Sequence, residues 1–214
     1  MRREVDAVLF DIDGTLVDST PAVERTCRTW ASRRNLNVAE ILSVSHGRRT
    51  QDTVSMFLPE TEQAAAVAEL EQLELADLAD VVALPGTRDL LPGLPSGRWA
   101  AVTSGSQRLM RARLNAARLP VPDVLIAAED VSAGKPDPDG YMKAAAALGV
   151  DIGRCLIVED APAGIGAGRA AGAWTLAVAT SHPASELESA DAIVADLTAL
   201  TIELVGAGLV VTIE

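Results

Sequence analysis

The sequence predicts an α/β protein with a parallel β-sheet and a helical insertion after the first strand. Short apolar runs recur along the chain between helix-compatible segments, and strand, helix and strand in repetition form a parallel sheet with right-handed crossovers. The 214 residues are 49% hydrophobic but only 3% aromatic, which suits helices packed on such a sheet. Residues from about 18 to 82 lack strand-like alternation and are assigned to the insertion.

Five apolar runs are predicted to be buried strands. The first comprises residues 5–10 and is followed directly by Asp11. A break at Leu84–Thr87 and a short helix at Arg88–Leu91 precede the second strand. The remaining strands are expected, in chain order, at residues 99–102, 125–127, 155–158 and 174–178.

The inserted segment is predicted to be helical from Pro21 to about Leu78. Thr20 or Ser19 can cap its first helix, with Pro21 in the first turn. Residues 60–80 contain seven acidic residues and no basic ones, with apolar residues at helical spacing between them. This pattern indicates an amphipathic helix with a solvated acidic face.

Composition and charge argue against several classes of partner. The formal net charge is −12 at pH 7, so we expect no nucleic-acid partner and no membrane partner, because anionic polymers and surfaces repel such a chain. The sequence shows no apolar stretch of about 18 residues and no signal-peptide pattern, which predicts a cytoplasmic protein. Cys27 and Cys155 lie far apart without a CxxC pattern, which favours free thiols.

Two carboxylates stand at the end of the first predicted strand, in the segment Asp11-Ile12-Asp13-Gly14-Thr15. Ligands of open parallel sheets bind outside the carboxyl ends of the strands. Asp11 and Asp13 can project the same way, and two like charges at one point need a cation. A hard ion such as Mg²⁺ takes carboxylate, water and phosphate oxygens. An acidic turn without a ligand is the alternative.

Polar groups also follow the next three predicted strands. The turn Thr103-Ser104-Gly105-Ser106 offers hydroxyls and backbone N–H groups to an anion, or forms only a turn and a helix N-cap. Lys135 is held between Gly134 and Pro136 in a stiff loop, and its alternative is a solvated surface charge. Glu159-Asp160 ends the fourth strand and adds two more acidic groups.

A dinucleotide-binding pattern in the chain is rejected. The segment Gly166-Ala167-Gly168-Arg169-Ala170-Ala171 fits G-x-G-x-x-A. Its glycines, however, fall within a predicted helix instead of in the turn directly after the strand, where such a site needs them. The turn itself holds Glu159 and Asp160, which would repel a pyrophosphate. Close packing of the helix on the sheet explains these glycines better.

The order and spacing of the four strand ends resemble the haloacid dehalogenase-like phosphatase superfamily. Its four motifs correspond to Asp11-x-Asp13-Gly14-Thr15, Thr103, Lys135 and Glu159-Asp160. The resemblance spans essentially the whole chain. It implies a Rossmann-like three-layer core with a parallel sheet, and a small α-helical cap domain inserted after the first strand. The core is expected to comprise residues 1–17 and 83–214, and the cap residues 18–82.

The resemblance also implies a role for each residue of the core site. Asp11 is expected to be the nucleophile and Asp13 the general acid and base. Phosphate binding is expected from Thr103 and Lys135, and Ser104 of the hydroxyl-rich turn is a further candidate for substrate binding. Magnesium binding is expected from three residues: Asp11, Asp13 through its backbone carbonyl, and Asp160. Glu159 is assigned to supporting the metal or its waters.

Substrate specificity is expected to come from the cap, whose richest segment is His46-Gly47-Arg48-Arg49-Thr50. His46, Arg48 and Arg49 are candidate substrate-binding residues, because closure of the cap would bring this loop over the site. The alternative is a solvated loop paired with the acidic helix, which would contribute little.

The leading hypothesis is a Mg²⁺-dependent phosphatase that acts on a small polyol or sugar phosphate through an aspartyl-phosphate. The cap loop and residues 159–164 look like the subgroup that acts on glycerol phosphate, 2-deoxyglucose 6-phosphate and related sugar phosphates. β-Phosphoglucomutase-like transfer is an alternative, although Thr50 stands where those relatives carry a cap arginine. Phosphoglycolate phosphatase activity and a catalytically silent binding protein are further alternatives. We expect a small phosphorylated metabolite as the partner, and a monomer, with a weak homodimer as the alternative.

Overall fold

A six-stranded parallel β-sheet forms the centre of the computed structural model, which describes residues 1–45, 47–206 and 208–214. The strands in chain order are β1 (Arg2–Val5), β2 (Ala7–Phe10), β3 (Val17–Asp18), β4 (Val82–Ala83), β5 (Trp99–Val102), β6 (Leu125–Ile126), β7 (Cys155–Glu159), β8 (Trp174–Val178), β9 (Ala192–Val194), β10 (Leu200–Val205) and β11 (Gly208–Ile213). The parallel sheet has the order β6-β5-β2-β7-β8-β9. The predicted fold class is confirmed.

Helices connect the parallel strands and cover both faces of the sheet. The α-helices are α1 (Thr20–Arg34), α2 (Val38–Ser45), α3 (Thr50–Ser55), α4 (Glu60–Ala76), α5 (Thr87–Leu90), α6 (Gln107–Ala116), α7 (Asp139–Leu148) and α8 (Pro162–Ala171). Single 3₁₀ turns lie at Leu91–Gly93, Ala128–Asp130, Ile152–Arg154, Ala184–Glu186 and Leu197–Ala199. Among the helices of the described residues, none has the length and apolar character needed to cross a membrane.

Strand β2 is buried on both faces, which gives the molecule its three layers. Ala7 and Leu9 pack into the cluster that includes Tyr141 of α7, whereas Val8 and Phe10 pack into the opposite cluster, which includes residues of α6. Successive side chains of a strand point to opposite faces. A strand covered on both faces is therefore a continuous apolar run, and this is why it could be predicted.

The predicted first strand, residues 5–10, is in fact two strands of different sheets. Val5 ends β1, which pairs with β11 in an antiparallel sheet of order β1-β11-β10, and β2 begins only at Ala7. Asp6 separates the two strands: its backbone N–H donates to the carbonyl of Arg154 (2.7 Å) and its carboxylate pairs with the same residue. The apolar run hides this switch because both strands bury side chains in the same cluster.

Three strands near the end of the chain were not among the five predicted. Strand β9 is only three residues long and two of them are half-buried, so it lacks a conspicuous apolar run. Strand β10 is mostly exposed beyond its first residue and carries Glu203. Strand β11 is buried through Leu209, Val210 and Val211, where it lies between β1 and β10.

The insertion is helical and encloses apolar residues of its own. Helices α1 to α4 contribute Trp30, Ile41, Val54 and Leu70 to one buried cluster. The chain leaves the core through β3 and returns through β4, and these two short strands pair antiparallel. The helical insertion agrees with the predicted fold class, whereas the division into core (1–17 and 83–214) and cap (18–82) stays a prediction.

Replacing Leu9 by Ala is expected to lower the free energy of unfolding by about 2–5 kcal/mol, because its truncation leaves a cavity between the sheet and α7. Leu204→Ala is the matched control: Leu204 is 58% exposed on β10, so its truncation should cost less than about 0.5 kcal/mol. Urea denaturation measures both values. Equal losses for the two variants would contradict the core assigned to β2.

Candidate active site

Side chains at the carboxyl ends of three neighbouring parallel strands meet at one edge of the sheet. Asp11 follows β2, Thr103 follows β5, and Asp160 follows β7. All three residues are buried and line the same cleft. The structure therefore brings together residues that lie far apart in the sequence, at the edge where parallel sheets bind their ligands.

Lys135 lies between two buried carboxylates. Its Nζ donates to Asp11 Oδ1 (2.5 Å) and to Glu159 Oε1 (2.5 Å), and also to the carbonyl of Val102 (3.2 Å). Burial alone would lower the pKa of Lys135, but the adjacent Asp11 and Glu159 carboxylates raise it above its ordinary value. The ammonium is therefore charged and fixed in place. Its predicted contact with a phosphate stays a prediction.

Both oxygens of Glu159 are engaged by neighbouring groups. Oε1 accepts from Lys135 and from the Tyr141 hydroxyl (2.6 Å), and Oε2 accepts from the backbone N–H of Asp160 (3.2 Å). Burial, followed by the nearby Glu159 charge, raises the pKa of Tyr141 well above its ordinary value, so this hydroxyl keeps its proton. These bonds suit Glu159 to orienting Lys135 and Asp160.

Asp11, Glu159 and Asp160 form a group of carboxylates suited to a hard cation. Each offers one oxygen, and these atoms all lie within 4.8 Å of one another. Asp160 is oriented by hydroxyls, since Oδ1 accepts from Thr15 Oγ1 (3.3 Å) and Oδ2 accepts from Ser181 Oγ. Buried oxygen donors of this kind fit Mg²⁺, which prefers oxygen ligands.

Gly14 allows the chain to turn closely around Asp160. Its φ is +87°, in the left-handed region, and a Cβ atom there would lie 2.1 Å from Asp160 Oδ2. A larger residue at this position would be strained and would displace the carboxylate. The glycine of the Asp11–Thr15 segment is therefore required for both the backbone and the site.

Burial and neighbouring carboxylates disfavour the charged forms of Asp11 and Asp160. Burial, assisted by the neighbouring Glu159, raises the pKa of Asp160 to about 7. Burial also raises the pKa of Asp11 well above its ordinary value, although Lys135 acts in the opposite direction. Buried like charges that resist ionisation in a cleft are typical of functional sites.

Asp13 has a different environment from Asp11. Its Oδ1 accepts from Ser19 Oγ (2.7 Å), and its Oδ2 accepts from Arg113 Nη1 (2.7 Å). Ser19 stands at the N-cap position of α1 without making a side-chain cap bond there. Among the described residues, the group of three close carboxylates comprises Asp11, Glu159 and Asp160. Metal binding by the backbone carbonyl of Asp13 stays a prediction.

The Thr103–Ser106 turn forms a helix N-cap and also borders the cleft, whereas its binding of an anion stays a prediction. Thr103 lines the cleft, whereas Ser106 is the N-cap of α6, with its Oγ accepting from the N–H of Leu109 (3.2 Å). Ser104 also lines the cleft, and its Oγ donates to the carbonyl of Gly47 in the insertion (2.9 Å). The turn therefore joins the sheet edge to the loop predicted to control specificity.

The two arginines of that loop occupy different environments. Arg48 is exposed and lines the cleft. Arg49 is only 8% exposed, and two of its guanidinium nitrogens donate to the Asp52 carboxylate at 2.8 and 2.9 Å. Asp52 belongs to α3, so Arg49 is not paired with the acidic helix α4. It also packs against the loop of Lys135, since a Cβ atom on Gly134 would lie 2.8 Å from Arg49 Nε. The third candidate of the loop, His46, lies outside the described residues.

The acidic side of α4 is not simply solvated, and in this respect the expectation is wrong. Arg113 Nη2 donates to Glu74 Oε1 (3.0 Å), and the Glu74 side chain is only 12% exposed. Burial raises the pKa of Glu74, with Arg113 opposing it. Glu71 accepts from Ser106, and Glu69 pairs with two arginines of α1. These partners lie outside α4, so the spacing within α4 could not reveal them.

Several residues of the site were missed at the level of sequence. Ser181 lies shortly after β8. Ligands of parallel sheets bind beyond the carboxyl ends of the strands, so the residues after the fifth predicted strand were also candidates. Arg113 lies within α6, where no pattern marks an arginine as buried. Tyr141 lies on α7 and reaches Glu159 only through the packing of that helix on the sheet.

The glycine-rich segment after Asp160 packs α8 onto the sheet, as predicted. Gly166 and Gly168 both lie within α8. A Cβ atom on Gly168 would lie 2.7 Å from Thr175 Oγ1 of β8, and one on Gly164 would lie 1.8 Å from Glu159 Oε1. These close approaches account for the glycines without a dinucleotide.

The cleft lies between the sheet edge and the insertion and is open to solvent at its mouth. Small-molecule sites are concave pockets of this kind. Residues of the core and of the insertion both line it, including Asp11, Asp13, Trp30, Thr53 and Glu74. A ligand seated there would contact both parts of the chain.

Comparison with known proteins identifies the class to which this site belongs. A sequence model described as haloacid dehalogenase-like hydrolase matches residues 5–172. The chain belongs to this family of hydrolases.

Similar proteins include enzymes from bacteria and yeast. The chain is 41% identical over 202 residues to hexitol phosphatase A of Escherichia coli, covering 91% of this chain and 92% of that protein. It is 35% identical over 222 residues to 2-deoxyglucose-6-phosphate phosphatase 2 of Saccharomyces cerevisiae, covering 92% and 90%. A hydrolase structure from Pseudomonas syringae superimposes with a TM-score of 0.81 at 26% identity, covering 89% of this chain and 94% of that one.

Addition of Mg²⁺ is expected to raise the Tm more at about pH 8 than at about pH 5.5. Asp160 has a pKa of about 7 in the folded protein against an ordinary 3.8, so the folded, cation-free protein binds more protons than the unfolded chain between these values. Its stability therefore falls as the pH rises through this window. Above it the ionised carboxylates bind the cation, whereas below it protons compete.

Differential scanning fluorimetry with and without Mg²⁺ measures these shifts. Asp160→Asn is the control, since it should remove most of the Mg²⁺-dependent increase at both pH values. Equal increases at both pH values in the unsubstituted protein would contradict the proton–cation competition.

Proposed function

We propose that the chain is a Mg²⁺-dependent phosphatase that hydrolyses a small phosphorylated sugar or polyol through an aspartyl-phosphate. The observation that carries this proposal is the buried Asp11 carboxylate, which lines the cleft, is bound by Lys135, and lies beside two more carboxylates suited to a cation. The substrate class is supported by the similarity to hexitol phosphatase A and 2-deoxyglucose-6-phosphate phosphatase 2.

Asp11 is the nucleophile. Its carboxylate oxygen attacks phosphorus, forming an acyl-phosphate bond while the bond between phosphorus and the ester oxygen breaks. Water then attacks phosphorus, releasing inorganic phosphate and restoring Asp11. The hydrogen bond from Lys135 holds the carboxylate in one orientation throughout.

Magnesium is the cation that we assign to the group of close carboxylates, with Asp11 and Asp160 as its side-chain ligands. When bound, it offsets the negative charges of the site and of the phosphate, so that an anionic nucleophile can approach an anionic ester. Glu159 orients Lys135 and Asp160, with which it forms hydrogen bonds.

Asp13 transfers the protons. It donates a proton to the departing alcohol oxygen and then accepts one from the water that hydrolyses the acyl-phosphate, a contribution typically worth ~10²–10⁴-fold. The hydrogen bonds from Ser19 and Arg113 hold both of its oxygens. Asp13 therefore has hydrogen-bond partners different from the Lys135 that binds Asp11.

Thr103, Ser104 and Lys135 bind the phosphate group, and Arg48 contacts the substrate from the insertion. Thr103, Ser104 and Arg48 line the cleft. Lys135 lies next to the cleft, because it donates a hydrogen bond to Asp11, which lines it. Thr50, where the mutase relatives were expected to carry an arginine, is the first residue of α3. A threonine there offers no cationic ligand for a second phosphate, which favours hydrolysis over transfer between two phosphorylated sugars.

The protein can carry out this function as a monomer, and we place it in the cytoplasm. Every group assigned here comes from one chain, so the site is complete without a partner subunit.

Burial raises the pKa of Cys27 to about 11 and that of Cys155 to about 12, and both are free thiols. Unreactive buried thiols of this kind agree with a reducing compartment.

Asp11→Asn is expected to reduce phosphate release by at least about 10³-fold while leaving the fold intact, because the amide oxygen is a poor nucleophile. The matched control is Asp151→Asn, at an exposed aspartate before β7, at the opposite end of that strand from the site. Phosphate release from sorbitol 6-phosphate is measured with Mg²⁺, and circular dichroism checks folding. Undiminished turnover by the Asp11 variant would refute the covalent mechanism.

Arg48→Gln is expected to lower kcat/KM for sorbitol 6-phosphate about 10-fold, mainly through KM, because a charged donor in the cleft is lost. Arg111→Gln provides a matched loss of one exposed arginine, on α6. Steady-state kinetics with both variants measures the difference. If the two variants behave alike, Arg48 does not contact the substrate.

A further inference from the structure

Three buried polar atoms around the cleft have no hydrogen-bond partner among residues 1–45, 47–206 and 208–214. They are Trp30 Nε1, Thr53 Oγ1 and Arg113 Nε. The three residues are 0%, 5% and 4% exposed, respectively, and all of them line the cleft. Buried polar groups are nearly always paired, because leaving one unpaired is unfavourable. Three of them around one cleft indicate partners that a ligand supplies.

These three residues belong to three different helices. Trp30 lies on α1, Thr53 on α3 and Arg113 on α6. Their unpaired atoms therefore have no common local cause, such as the end of one helix. What they share is the cleft.

Glu74 adds an acceptor to these groups. It lines the same cleft from α4, and its Oε1 accepts from Arg113 Nη2 (3.0 Å). A carboxylate accepts hydrogen bonds at both oxygens, and a guanidinium donates up to five. The ion pair therefore has bonding capacity beyond the contact between its two members.

The chemistry of these groups matches a chain of hydroxyls. Trp30 and Arg113 offer N–H donors, Thr53 offers a hydroxyl, and Glu74 offers a carboxylate. Each alcohol group both donates and accepts, so adjacent hydroxyls can satisfy donors and acceptors together. A second anionic group would fit poorly, because Glu74 and Asp13 both contact Arg113 and already balance its charge.

We propose that Trp30, Thr53, Glu74 and Arg113 form a hydroxyl-binding subsite that selects a neutral, polyhydroxylated leaving group. The subsite rests on the proposed function, since it binds the alcohol part of the phosphate ester that Asp11 attacks. A hydroxyl-free ester of the same chain length lacks the groups that pair with these residues. The enzyme therefore binds a polyhydroxylated phosphate ester more tightly in the cleft than a hydroxyl-free phosphate ester.

The test compares sorbitol 6-phosphate with hexyl phosphate, which have the same number of carbon atoms and differ in hydroxyl groups. Their Kd values are measured by isothermal titration calorimetry with Mg²⁺ in the Asp11→Asn background, where turnover does not interfere. The substitutions are Thr53→Val and Trp30→Phe, which remove the hydroxyl or the N–H while keeping most of the shape. Hydrolysis of both esters is measured in parallel with Asp11 intact.

Thr26→Val is the matched control for Thr53→Val. Thr26 is also a buried threonine of the insertion, 3% exposed, but its Oγ1 already donates to the carbonyl of Val23 (2.9 Å). The Tm of each variant supplies a second measurement. Thr53→Val should leave the Tm unchanged or raise it, since it removes an unpaired buried hydroxyl, whereas Thr26→Val should lower it.

The preference for sorbitol 6-phosphate over hexyl phosphate is expected to fall about 5-fold or more in Thr53→Val and in Trp30→Phe, and to persist in Thr26→Val. Persistence of the full preference in both cleft variants would overturn the subsite, as would an equal loss in the control.

Failure of the proposed function gives a different result. The protein with Asp11 intact would then release no phosphate from either ester, whereas the binding preference and its loss in the cleft variants would still be measured. The alternative is that the Arg113–Glu74 ion pair only holds the helices α6 and α4 together. Thr53→Val and Trp30→Phe would then leave the preference for sorbitol 6-phosphate unchanged. If the ratio of the Kd values of sorbitol 6-phosphate and hexyl phosphate is unaltered in these variants, the ion pair is only structural and the subsite is contradicted.

Discussion

The buried ion pair of Lys135 with Asp11 and Glu159 is the interaction on which the rest of the site depends. Burying charges is unfavourable unless they are paired and hydrogen-bonded, and here one ammonium binds two carboxylates and a backbone carbonyl. The parallel order of β5, β2 and β7 makes this pairing possible, because it brings the ends of three strands to one place. The remaining negative charge of Asp160 is what a divalent cation would balance.

Polar contacts connect this sheet edge with the insertion, so the carboxylate group and the loop predicted to control specificity are physically linked. Ser104 bonds to Gly47, and Arg113 bonds to both Asp13 and Glu74. The chain crosses between the two parts through the paired strands β3 and β4. Arg113, which contacts Asp13, therefore also lines the cleft. Under the proposed function, the same side chain would orient the proton-transfer group and contact the leaving group.

Sequence reasoning succeeded where a physical constraint is local and failed where it is tertiary. Strands β2, β5, β7 and β8 are buried on both faces, so each appears as a continuous apolar run. The ends of the first, second and fourth predicted strands then located Asp11, Thr103 and Asp160. Strand β10 is largely exposed and could not be distinguished from a polar segment. Arg113 and Glu74 were missed because only the packing of α6 against α4 makes them neighbours.

The covalent role of Asp11 is tested most directly by rapid acid quenching during turnover of sorbitol 6-phosphate, followed by digestion and mass spectrometry. A phosphoryl group is expected on the peptide that contains Asp11, appearing before the steady state and declining as the substrate is consumed. Turnover without any phosphorylated form of this peptide at any quench time, under conditions that preserve a synthetic acyl-phosphate standard, would contradict the covalent mechanism.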